Sequence, residues 1–154
     1  MNANLSEINT PPLHPRILCV DDNRDNAEML GIILHQADDT YSVTTVDDAE
    51  EALKIMERQT FDLYILDYAL PEISGIELCR KVREKNKQTP VMFFTAMARA
   101  ADQAEAIRAG ADEYLVKPND LAKLTETVKR LLNKKSKLIY KRQSVPKRRC
   151  SSII

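Results

Sequence analysis

No apolar run in these 154 residues is longer than four, the length reached by residues 17–20. A helix that crosses a bilayer needs about 20 apolar residues in succession, so no transmembrane segment is expected. The first seven residues, Met1-Asn2-Ala3-Asn4-Leu5-Ser6-Glu7, carry neither a basic stretch nor an apolar one, so no secretory signal is expected. Cysteine is scarce and unpatterned. Cys19, Cys79 and Cys150 are odd in number, far apart and without a CxxC pair, which argues against a disulfide framework or a zinc site. That usage fits a reducing, cytoplasmic location. Cys150 stands fifth from the end, whereas prenylation needs the fourth position. His14 and His35 have no partners at metal-ligand spacing. Acid is lacking altogether after residue 128. All 23 carboxylates and 13 of the 23 Lys and Arg precede that point, so an acidic body of net −10 carries a basic end of +10.

The remaining composition is that of a globular protein, with 44% hydrophobic and 30% charged residues, and the length suits one domain with a tail. Residues 1–14 show no periodicity and read as a flexible lead, 15–133 as the domain, and 134–154 as a basic tail. From Arg16 onward, short apolar runs alternate with longer helical patterns. The runs are 17–20, 41–46, 63–66, 91–95 and 113–116. At least three are nearly continuous in apolar residues, as parallel strands covered on both faces should be. The helical stretches begin near Asp25, Asp48, Gly75, Ala100 and Asp120. The first has Met29, Leu30, Ile33 and Leu34 on one face, Gly110 is a natural stop for the fourth, and Asp120 can cap the fifth. Five β-then-α units predict an α/β fold around a parallel sheet with right-handed crossovers.

Ligands of open α/β sheets bind beyond the carboxyl ends of the strands. Asp21 and Asp22 follow the first run, Asp67 follows the third, Thr95 ends the fourth, and Lys117-Pro118 follows the fifth. Three carboxylates held close need a cation, and hard oxygen ligands with room for water suit Mg²⁺. A divalent metal beside a lysine suits a phosphoryl group, and an aspartate can accept that group covalently. Taken singly, each residue has an ordinary explanation: an acidic pair at a helix start, a turn aspartate before Pro71, a strand-end threonine, a solvated lysine. Their convergence on one edge favours the phosphoryl site.

The stretches Ile17-Leu18-Cys19-Val20-Asp21-Asp22-Asn23, Asp62-Leu63-Tyr64-Ile65-Leu66-Asp67-Tyr68-Ala69-Leu70-Pro71, Gly75, Pro90-Val91-Met92-Phe93-Phe94-Thr95-Ala96 and Gly110-Ala111-Asp112-Glu113-Tyr114-Leu115-Val116-Lys117-Pro118 resemble the receiver domain of two-component response regulators. The resemblance covers about 118 residues. It implies a flavodoxin-like doubly wound five-stranded parallel sheet in the order 2-1-3-4-5, with five helices. It implies Asp67 as phosphoacceptor, Mg²⁺ as cofactor, and Asp21, Asp22, Asp67 and the Ala69 backbone carbonyl as metal ligands. It further implies Thr95 as the switch hydroxyl, Tyr114 as the switch aromatic, Lys117 as the phosphoryl-binding lysine and a cis bond before Pro118. The implied partners are a sensor histidine kinase or phosphotransfer protein upstream and a protein target downstream. The reading face is that of the fourth helix, fifth strand and fifth helix, which could also form a homodimer. Such a domain is a switch rather than an enzyme. Ala69 and Met97 depart from the polar residues that many relatives carry two positions after the acceptor and the switch hydroxyl, which points to a long phosphate lifetime.

Two other readings compete with this one. A haloacid-dehalogenase-type phosphatase uses a similar kit but needs a second acid two residues after its nucleophile, where this chain has Ala69. Nucleic acid would be repelled by the acidic body, so only the basic tail could bind it, and no specific nucleic-acid partner is expected. About 21 residues follow position 133, too few for an output module, so the expected class is the stand-alone regulator. In the tail, Lys135 interrupts the apolar set of the fifth helix, which predicts an extension of a turn or two at most before flexible chain. A basic tail tethered to an acidic body could fold back near Asp67, or reach an acidic partner or membrane.

Overall fold

The computed structural model describes residues 13–143. Five parallel strands, β1 (Arg16–Val20), β2 (Ser42–Val46), β3 (Leu63–Leu66), β4 (Val91–Thr95) and β5 (Glu113–Val116), form one sheet in the order β2-β1-β3-β4-β5. The connecting helices are α1 (Arg24–Ala37), α2 (Ala49–Arg58), α3 (Gly75–Lys85) and α4 (Ala100–Ala109). A short 3₁₀ turn, Leu121–Lys123, leads into α5 (Leu124–Gln143).

Alternation along the strands divides the core into two layers. Leu18, Val20, Tyr64, Leu66, Val91 and Phe93 face Ala49 and Ala52 of α2, Ile76, Cys79 and Val82 of α3, and Ala106 of α4. Ile17, Cys19, Leu63, Ile65, Met92 and Phe94 face Leu30 and Leu34 of α1 and Leu124, Val128 and Leu131 of α5. Both faces of β1, β3 and β4 are therefore buried, which is why these runs are apolar without interruption. Cys19 and Cys79 are small core residues, and burial raises both thiols, Cys79 to about 11.

Local chemistry sets the helix ends. Asn23, Asp48 and Ser74 each accept from the backbone N–H three residues on, at 3.0, 2.7 and 3.2 Å, and so start α1, α2 and α3. Gly110 ends α4 at φ 113°, where an added Cβ would lie 2.7 Å from Arg83 Cγ. Arg83 fastens that corner: it donates to Gly110 O at 2.9 Å, Thr89 O at 2.6 Å and Asp112 Oδ2 at 2.9 Å.

Three sequence expectations change. Met29 is exposed, because the buried stripe of α1 runs through Ala27, Leu30 and Leu34 instead. Asp120 does not cap a helix with its side chain; it accepts from the Val116 N–H at 2.9 Å and pairs with Lys123, which closes the turn before α5. And α5 continues to Gln143, past the turn or two expected beyond residue 133. Lys135, read as an interruption, is an anchor: its Nζ donates to Asp62 Oδ1 at 2.9 Å and Phe61 O at 3.3 Å, just before β3. Residues 1–12, expected as lead, and 144–154 of the basic tail, with Cys150, lie outside the described residues.

Candidate functional site

The residues that follow β1, β3 and β5 each continue the ladder by one bond. The Asp21 N–H donates to Val46 O (3.2 Å), that of Asp67 to Val20 O (2.9 Å) and that of Lys117 to Thr95 O (2.8 Å). The pleat that holds the core thus fixes the backbones of Asp21 and Asp67 on neighbouring strands, and that of Lys117 across β4 from them, at the carboxyl edge of the sheet. Asp22 follows at the mouth of α1.

One carboxylate oxygen from each of Asp21, Asp22 and Asp67 lies within 4.8 Å of the other two. Asp21 is buried, Asp67 half-buried and Asp22 exposed, so the cluster opens toward solvent on one side. Lys117 lies between two of them: Nζ is 2.5 Å from Asp21 Oδ2 and 3.4 Å from Asp67 Oδ2. Its ammonium also stands 5.3 Å from the centroid of the Phe94 ring, which favours a cation. The other Asp21 oxygen accepts the Asn23 N–H at 2.9 Å, which ties the cluster to the start of α1. The Lys117–Pro118 peptide bond is cis.

Thr95 and Tyr114 form the second part. Thr95 is fully buried, and its Oγ1 accepts the Met97 N–H at 3.3 Å. The Tyr114 hydroxyl donates to Met97 O at 2.7 Å. Met97 therefore joins the two residues through its backbone. Burial pushes the Tyr114 phenol up to about 12, with the negative charges of Asp102, Tyr68 and Asp67 adding to it. The Tyr114 ring stacks on Phe93, with centroids 5.8 Å apart and planes 18° apart. Ala69 is exposed two residues beyond Asp67, and its N–H points at Asp67 Oδ1 at 3.4 Å.

Three contributors have no role in the sequence reading, which names Gly75 only as a helix start and a matching residue. Gly75 opens α3 directly beneath Asp67, where an added Cβ would come within 1.9 Å of the Asp67 carbonyl oxygen. Its N–H donates to Tyr68 O at 3.0 Å, which holds the loop closed. Tyr68 donates to Glu105 Oε2 at 2.5 Å and so links the residue after Asp67 to α4; that bond pushes the phenol up to about 12. Arg99 grips the buried Asp102 through two bonds, of 3.0 and 2.9 Å. The Gly75 requirement had a signal, a lone glycine eight residues after the aspartate. The pairing of Tyr68 with Glu105 had none, because it spans 37 residues.

The donor set fits a hard divalent cation. Three carboxylates face one ammonium, an excess of two negative charges, and all the donors are oxygens with an open side for water. Asp21, Asp22 and Asp67 are the residues that would hold it.

Three comparisons bear on this site. The family model for the response regulator receiver domain matches residues 17–129. The transcriptional regulatory protein DltR of Streptococcus agalactiae is 34% identical over 128 residues, which cover 83% of this chain and 56% of the relative. The chain spans about half the length of the curated relatives it matches. Among solved structures, a CheY-like receiver domain from Methanospirillum hungatei is 30% identical with a TM-score of 0.74, covering 80% of this chain and 98% of that one. The regulator TrrA of Thermotoga maritima, solved with Mg²⁺ and BeF, is 36% identical with a TM-score of 0.68, covering 76% and 98%.

Proposed function

The chain belongs to the response regulator receiver family, whose members are phosphorylation-dependent switches of two-component systems, and on that premise we propose that Asp67 is its phosphoacceptor. Histidine kinases or phosphotransfer proteins phosphorylate receivers, and receivers bind Mg²⁺ at their acidic pocket. The observation that carries the residue assignment is the three-to-one cluster. Asp67 is the carboxylate in it that is half-buried, within reach of Lys117 and open to a donor.

In the transfer, an Asp67 carboxylate oxygen forms a bond to phosphorus. The P–N bond of the donor phosphohistidine breaks, its electron pair stays on nitrogen, and the imidazole takes up a proton. Lys117 turns from two carboxylates toward the oxygens of the arriving phosphoryl group, which bring the negative charge it is placed to offset. Asp21, Asp22, Asp67 and the Ala69 carbonyl would hold the metal, which would supply further charge neutralisation when bound. Thr95 donates its hydroxyl to a phosphoryl oxygen and gives up its bond to the Met97 N–H. Tyr114, held to the same residue, then repacks, and the face of α4, β5 and α5 changes toward the form that a protein partner, or a second copy, binds. Ala69 and Met97 offer no side chain to orient a hydrolytic water, so the phosphoryl group persists.

Incubation with acetyl phosphate and Mg²⁺ tests the assignment. The wild-type chain forms an acid-stable, hydroxylamine-labile adduct, and Asp67→Asn forms none. Equal labelling of the variant would remove Asp67 from the role.

A further inference from the structure

The outward face of α5 takes no part in the phosphoryl site. Glu126, Lys129, Arg130, Asn133, Lys134 and Lys137 recur at helical spacing and line a shallow depression. They lie opposite the face that buries Leu124, Val128 and Leu131. All four cations are exposed. Arg130 reaches Glu113, yet its side chain stays 54% exposed. Among the described residues, no carboxylate pairs with Lys134 or Lys137. Three acids near this end of the sheet are engaged: Glu113 by Arg130, Asp62 by Lys135, and Asp38 by Thr40 with Lys129 close enough to act on its charge. The sequence then adds Lys141, Arg142, Lys147, Arg148 and Arg149 without an acid.

We propose that this face docks on an anionic lipid headgroup surface. A protein partner would need an anchor, since protein interfaces draw their affinity from buried aromatic and apolar side chains and are depleted in lysine. Among its described residues the stripe carries none; Leu138, 43% exposed, lies at its margin. Sequence-specific or single-strand recognition of nucleic acid would add base contacts or stacking on aromatic rings, and the stripe has no ring among its described residues; non-specific contact with phosphates is the competing outcome that the DNA arm of the test reads. A charged bilayer requires neither. Each Lys or Arg brought to such a surface is worth roughly fivefold in partition, and an apolar residue at the margin can enter the headgroup layer. The geometry leaves the phosphoryl site accessible, while Arg130, paired with Glu113 of β5, marks where the stripe meets the α4–β5–α5 face. The helix runs about 30 Å from the strand-end edge to the opposite one, and Lys135 holds it there, so the docked face and the Asp67 cluster are separate.

The test is sedimentation of the full chain with vesicles of phosphatidylcholine alone or with phosphatidylserine at about a third of the lipid. The chain pellets with the anionic vesicles and not with the neutral ones. Binding is lost as salt rises from about 0.05 to 0.5 M, over which the Debye length shrinks severalfold. Lys129→Gln/Lys134→Gln/Lys137→Gln weakens partition by roughly a hundredfold, while acetyl phosphate labelling at Asp67 is unchanged, which shows that the variant is folded. Equal binding to both vesicle types, or undiminished binding by the triple variant, would overturn the proposal. So would tighter binding, at matched charge concentration, to a DNA duplex or to polyglutamate than to the vesicles; either would hand the stripe to nucleic acid or to an acidic protein.

Discussion

Two lysines are held against aspartates at opposite ends of the sheet, and they do opposite things. Lys135 meets Asp62 at 2.9 Å and also donates to Phe61 O; one ammonium faces one carboxylate, both side chains less than a fifth exposed, and every charge is matched. Lys117 meets Asp21 and Asp67 with Asp22 beside them, one ammonium against three carboxylates. The first pair is balanced and closes α5 onto the start of β3. The second is left with two uncompensated charges on a backbone rigid enough to keep them together. Distance and burial alone do not separate the two sites. The charge count does: a matched pair gains nothing from a further ion, whereas a surplus of carboxylates stores affinity for a cation and for the chemistry that a cation permits.

The comparison can be broken most forcefully at Lys117. Lys117→Ala should slow labelling by acetyl phosphate about a hundredfold, as loss of a placed electrostatic donor does, and chelating the metal with EDTA should abolish labelling. Lys135→Met should leave labelling at the wild-type rate. The phosphate lifetime comes next. Ala69→Asn/Met97→Glu places polar groups where a hydrolytic water must sit and should shorten the adduct's half-life about tenfold, read by the decay of radiolabel; an unchanged half-life would refute the reasoning from those two positions. At the balanced end, Lys135→Met should cost about 1 kcal/mol in urea unfolding, the net worth of a charge-assisted bond partly open to water. The smallest effect is on the pH profile. The Tyr114 phenol is raised from 10.0 to about 12, so the folded state favours its neutral form. That contribution is complete below pH 10 and is lost as pH rises toward 12, and Tyr114→Phe should flatten the fall of the urea midpoint across that window.

Much of this architecture was legible in the chain. The residues of β3, β4 and β5 stand where the apolar runs put them, and in β3 and β4 burial on both faces leaves an unbroken apolar signature. Gly110 marked the end of α4 because only a left-handed position could follow. The strand-end rule brought Asp21, Asp67, Thr95 and Lys117 to one edge before any coordinate, since ladder pairing leaves little freedom one residue past a strand. Less legible was whatever depends on a distant partner. Lys135 reads as a break in an apolar stripe until Asp62, 73 residues earlier, is seen to receive it. The Tyr68–Glu105 bond and the grip of Arg83 on the α3–α4 corner are likewise invisible to periodicity. Met29 misled because a helical apolar set predicts a stripe but not which edge of it the neighbouring strand covers.

On the proposed assignment the unbalanced cluster directs a phosphoryl group to one oxygen-bearing side chain, and the most direct measurement locates that group. The chain is incubated with acetyl phosphate and Mg²⁺ and then treated with borohydride, which reduces an aspartyl-phosphate to homoserine and leaves free carboxylates intact. Peptide mass spectrometry then reads the position. Homoserine at position 67, absent when Mg²⁺ is withheld, is the predicted result. Homoserine at position 21 or 22, or none at any position in a folded, metal-loaded chain, would contradict it.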